Sequence, residues 1–102
     1  MLLVKGQGYS NMEIIIEQSV ADLMQHIENR QVINIEEINS ENIAALLEAQ
    51  SLAVIGSGSD KAKLVEQMVN SRPNDARPIT LVQKHPDLLV LVDKEGAASI
   101  YE

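Results

Sequence analysis

Short apolar runs alternate along the chain with stretches of helical period, and this alternation sets the expected fold. Residues 12–16, with Met12, Ile14, Ile15 and Ile16, form a β-rich run, and residues 1–4 form another. The glycine-bearing cluster 6–11 between them reads as a turn or loop. Ser19 then caps a helix whose apolar positions Val20, Leu23, Met24 and Ile27 fall at i, i+3, i+4 and i+7, with Asp22 at its positive end. Residues 31–35 follow as a strand. Asn39 or Ser40 caps a second helix carrying Ile43, Leu46 and Leu47 on one side, with Glu41 in its first turn.

The most informative stretch begins at Leu52. Four apolar residues, two glycines alternating with serines and then an apolar 3.6-residue period from Ala62 to Val69 predict a strand, a tight loop and a helix. This is half of a βαβ unit, and the helix stops near Arg72 because Pro73 biases the preceding residue away from helical backbone.

Beyond that point the pattern changes. Residues 78–83 and 88–92 read as strands, and the gap 84–87 is too short for a crossover, so the two are expected to pair as an antiparallel hairpin. Asp93 and Gly96 suit the first and fourth positions of a type I turn leading into an edge strand at 97–101. The near-continuous apolar runs at 52–55 and 88–92 place those strands at the sheet centre or cover them on both faces. The expected fold is therefore α/β: a small single domain over residues 1–102, with about three helices on a mixed sheet, βα units first and antiparallel hairpins at the C-terminus. Whether helices cover one face of the sheet or both stays open.

Composition narrows the chemistry. The core must be aliphatic, since the sequence has no Phe or Trp and its aromatics are Tyr9 and Tyr101, poor equipment for stacking on nucleic-acid bases. Cysteine is absent, which removes disulfides, thiolate nucleophiles and sulfur metal ligands. The first five residues are too short an apolar run for a signal peptide, and no 18-residue apolar window exists, so a soluble cytoplasmic protein is expected, away from membranes. The net charge of -7 is uneven, at -6 over residues 1–50 and -1 over residues 51–102. Such a surface repels phosphate backbones and argues against nucleic acid as a partner. Lys61, Lys63, Arg72, Arg77 and Lys84 gather in one region, the natural place for any bound anion.

No complete catalytic motif stands in this chain. A Walker loop needs a Gly-Lys-Ser/Thr ending that is missing, and a dinucleotide fingerprint needs a small residue where Lys61 stands. A looser anion site remains, built from the hydroxyls of Ser57 and Ser59, the amides from Gly58 to Lys61 and the Lys61 ammonium; Asp60 opposes it by capping the same amides. His26 falls on a helix flank. His85 stands in a loop with Lys84 and Asp87, where a turn role outweighs an acid–base one. The acids Glu36, Glu37 and Glu41 read as a solvated helix entry, Asp93 and Glu95 lack the series of a calcium loop, and neither a metal nor a cofactor is expected.

Three functions follow from these readings. The first is a non-enzymatic regulatory or adaptor domain acting through a protein partner or by homodimerisation, using sheet edges at 1–4 and 97–101. The second is a regulatory domain taking a small anionic metabolite or phosphate at residues 56–61, aided by Arg72, Arg77 or Lys84. The third is a phosphocarrier or hydrolase using His85 or Ser59.

Overall fold

In a computed structural model, which describes residues 2–5, 12–27 and 29–100, five strands form one sheet in the order β1-β2-β5-β4-β3. They are β1 (Leu2–Lys5), β2 (Met12–Glu17), β3 (Gln31–Asn34), β4 (Leu52–Gly56) and β5 (Leu88–Asp93). The four strands β2, β5, β4 and β3 are mutually parallel, and β1 adds antiparallel to β2 at one edge. The helices are α1 (Val20–Leu23), α2 (Ile43–Leu47), α3 (Ala62–Asn70) and α4 (Pro78–Leu81), several of them continued or preceded by a 3₁₀ turn.

The two-residue period of the strands divides the interior into two cores. Ile14 and Ile16 of β2, Leu52 and Val54 of β4, and Leu88, Val90 and Val92 of β5 point to one face, where Ile43, Leu46, Val65, Met68, Ile79 and Val82 from α2, α3, α4 and the turn after it cover them. Ile15, Ala53, Leu89 and Leu91 point to the other face and meet Leu23 of α1. The domain is therefore three-layered, with one heavy and one thin helical layer. Both faces of β5 are covered, as its unbroken apolar run requires.

Local signals account for the helix boundaries. Asn39 Oδ1 accepts the N–H groups of Glu41 and Asn42 and so builds the turn that feeds α2. Ser19 Oγ accepts the N–H of Asp22 at the start of α1. Helix α3 ends at Asn70, two residues ahead of the predicted stop before Pro73.

The expected C-terminal hairpins do not form. Residues 78–81 are helical and 82–84 continue as a 3₁₀ turn, with Ile79, Thr80, Val82 and Gln83 buried. Pro78 occupies the first helical turn, where its missing N–H costs nothing, and the burial of positions 79, 82 and 83 is a helical spacing. The β-branched residues there suggested a strand, and packing on α3 overrides that preference. Strand β5 instead inserts between β2 and β4, parallel to both. Residues 93–100 form successive turns through Ala97 N–H to Asp93 O, Ala98 N–H to Glu95 O and Ile100 N–H to Ala97 O, so the turn after Asp93 does not lead into an edge strand. One of the two sheet edges expected to recruit a partner is thus absent. The cluster 6–11, Met1 and Tyr101 lie outside the described residues.

Gly96 is fixed by a close backbone approach. A Cβ on it would lie 2.3 Å from the Gly56 carbonyl oxygen, so the turn after β5 sits directly on the end of β4. Because backbone atoms cannot yield as a side chain would, Gly96→Ala is expected to destabilise the domain by about 1–3 kcal/mol, read from chemical denaturation midpoints with an unchanged m-value.

Candidate functional site

Parallel strands collect their carboxyl ends on one rim, and in open α/β sheets ligands bind outside that rim. Here the rim carries the loop after β4, the turn after β5, the Ile35–Glu37 turn after β3 and the end of β2.

Asp93, the last residue of β5, organises the centre of the rim. Its Oδ2 accepts the Ser57 hydroxyl at 2.6 Å, and its Oδ1 accepts the N–H of Gly58 at 3.1 Å and of Gly96 at 2.7 Å. One carboxylate thereby ties the glycine loop to the turn that follows its own strand. Burial pushes the Asp93 carboxyl up, but the bonds from Ser57, Gly96 and Gly58 outweigh it and hold the group below the usual carboxylate range. Gly58, with φ of 94°, takes a conformation that a side chain would strain, and this turns the chain into the Ser59–Lys61 3₁₀ turn and then α3.

Lys61 stands at the mouth of the loop between two acids. Its Nζ lies 2.6 Å from Asp60 Oδ2 and 3.2 Å from Glu36 Oε2, Glu36 coming from the turn after β3. The bonds to Asp60 and then Glu36 raise its pKa against the opposing effect of burial, and Asp60 is lowered chiefly by its bond to Lys61. The lysine side chain is 13% exposed, so the ammonium is held in place while remaining reachable.

The four residues predicted to bind an anion are therefore brought together, in different states. Ser57 and Gly58 face inward to Asp93, and Lys61 is paired at the rim. Among the described residues the Ser59 hydroxyl has no hydrogen-bond partner. Arg72, Arg77 and Lys84 are elsewhere: Lys84 precedes β5, whose first residue Leu88 pairs with Leu52 at the start of β4, whereas Lys61 follows the end of β4. The basic region of the sequence is thus split between opposite rims.

His85 is fully buried at the amino rim. Its Nδ1 accepts the Asp87 N–H at 2.9 Å and its Nε2 donates to the Ala49 carbonyl, which assigns a neutral ring joining the turn before β4 to the turn before β5. Beside it, Asp87 accepts the Ser51 hydroxyl at 2.6 Å and Arg30 at 3.3 Å. His85 is a structural tie on the rim opposite the glycine loop. His26 is bonded to Glu17 at 2.8 Å, and that bond lowers the Glu17 pKa.

Sequence reading missed Asp93 as the organiser and Glu36 as a partner of Lys61. An acid directly following an apolar central strand, beside a strand that ends in glycine, is the signal that points to Asp93. Among the described residues no group of three or more His, Asp or Glu is placed to hold a metal ion, and no helix is long and apolar enough to cross a membrane.

No known protein-family profile matches the chain. It is similar to glucosamine-6-phosphate deaminases: 32% identical over 59 residues to that of Alkaliphilus oremlandii, 33% over 55 residues to that of Bacillus velezensis, and 30% over 59 residues to that of Halothermothrix orenii. These alignments cover 58%, 54% and 58% of this chain, and 24%, 23% and 24% of the relatives. The chain spans about a quarter of the length of the curated relatives it matches. The relatives are enzymes, and this overturns the reading of a non-enzymatic regulatory or adaptor domain, together with that of a regulatory domain that only senses a metabolite.

Since Asp93 has a lower pKa in the fold than in the unfolded chain, its contribution to stability is full above the unfolded value near 3.8 and is lost as the pH falls below it. Asp93→Asn removes that charge, leaving donors of Ser57, Gly58 or Gly96 poorly matched. The variant is expected to be about 1–3 kcal/mol less stable at pH 7 and to show a shallower loss of stability below pH 4, as measured by urea titrations across pH.

Proposed function

We propose that this domain forms part of an enzyme acting on a phosphorylated amino sugar, in the manner of the glucosamine-6-phosphate deaminases it resembles, and that the loop with Ser57, Gly58, Ser59 and Lys61 receives the phosphate. The observation carrying this reading is the similarity of about 30% identity over more than half of the chain to enzymes of that name.

The rim geometry supports the phosphate end of such a site. A sugar phosphate carries a charge of about -1.5 to -2 at neutral pH, and Lys61 presents a charged donor held in one orientation by Asp60 and Glu36. A dianion offers that ammonium more charge than either single carboxylate, so it displaces one of them while the other keeps the side chain in place. The Ser59 hydroxyl supplies a second donor, and the nine-residue helix α3 begins at the same point with its positive end toward the rim. Asp93 fixes the backbone beneath through Ser57 and Gly58, so the loop is ordered before ligand arrives. The amino-sugar end and the bond-breaking steps are assigned to no residue of this chain.

Calorimetric titration separates the parts of this reading. Glucosamine 6-phosphate is expected to bind measurably and glucosamine without its phosphate far more weakly. Lys61→Ala is expected to reduce affinity for the phosphorylated sugar by about tenfold or more, the worth of a charge-assisted hydrogen bond. Equal binding of the two sugars, or an unchanged affinity in the lysine variant, would remove the loop from the site.

A further inference from the structure

We propose that the groove between the end of α3 and α4, at the amino rim, is a second anion site that takes a small phosphorylated molecule. It is independent of the loop at 56–61 and of the reading given to that loop.

The groove has a volume of about 580 Å³, within the range of about 300–1,000 Å³ usual for small-molecule sites. Its lining brings Arg72, Arg77 and Lys84 together against one carboxylate, Asp75. In a chain of net charge -7 this is a local excess of positive charge. Among the described residues none of these three cations is in an ion pair. Cations gathered around a concave surface repel one another, and an anion seated among them relieves that repulsion while two guanidinium groups offer paired donors to phosphate oxygens.

The walls are also held more firmly than a connecting loop needs. Thr80, fully buried, accepts the Asn74 N–H at 2.8 Å and donates to the Arg77 carbonyl at 2.7 Å. Asn74 Oδ1 accepts the Ala76 N–H at 2.9 Å, and the Asn74 carbonyl accepts the Arg77 N–H at 2.9 Å. Buried Gln83 donates to the carbonyls of Met68 and Ser71, so it satisfies the last turn of α3 and anchors the start of the loop. Two buried polar side chains thus fix the backbone on both sides of Arg72 and Arg77. Pre-organised walls carrying exposed charged heads are the arrangement that binds a compact polyanion at low ordering cost.

The test is a titration of the full chain with inorganic pyrophosphate followed by backbone amide shifts. The expected result is saturable shifts across residues 71–84. The double variant Arg72→Ala/Arg77→Ala is expected to weaken that response about tenfold or more, Asp75→Asn to strengthen it, and Lys61→Ala to leave it unchanged. Because these groove side chains lie on the surface, the variants keep the fold, which the unshifted amides of β4 and β5 report. Shifts confined to residues 56–61, equal affinity in the double variant, or no response at millimolar pyrophosphate would each overturn the proposal. Failure of Lys61→Ala to affect glucosamine 6-phosphate binding bears on the other rim alone.

Discussion

The parallel insertion of β5 between β2 and β4 is the constraint from which the rest of the architecture follows. A strand buried on both faces, with Leu89 and Leu91 on one side and Leu88, Val90 and Val92 on the other, needs helices above and below it. Its direction forces the chain to return from the carboxyl rim after β4, and α3 makes that return. Loops then sort themselves by rim. The carboxyl rim receives Glu36, the glycine loop and Asp93, while the amino rim receives His85, Asp87 and the basic groove.

The two rims use charge in opposite ways. At the carboxyl rim the central groups are engaged by neighbours: Lys61 by Asp60 and Glu36, Ser57 and Gly58 by Asp93. At the amino rim, neutral and acidic groups are spent on joining turns, as His85 does with Ala49 and Asp87 with Ser51, and three cations stand without ion pairs among the described residues. The first arrangement holds a loop in shape, and the second leaves a surface with charge to spare.

Much of the layering was legible in the residues. The runs 52–55 and 88–92 lie at the sheet centre, the Asn39 turn stands before α2, and α3 stops just short of Pro73, because each of these rests on a local signal with one dominant cause. Residues 78–83 were misread because β-branched residues suggested extension while Pro78 and the burial of Ile79, Val82 and Gln83 required a helix. Packing on α3 decided between them, and packing is not visible in a single segment. The direction of β5 was missed for the same reason: a short gap suggested a hairpin, whereas the strand pairs with elements far away in sequence. The site was half legible. Its glycine loop stands out in the sequence, but Asp93 and Glu36 act on it from 35 and 25 residues away from Gly58 and Lys61. Function was less legible still, since a loop with one lysine matches no complete motif.

The double pairing of Lys61 would make the proposed capture of a phosphate at that loop an exchange of partners. An arriving phosphate would gain an ammonium that Glu36 or Asp60 must release, so that charged contacts would be broken and made in nearly equal number. Added electrolyte weakens both sides of such an exchange together, so the affinity in that reading would respond only weakly to ionic strength.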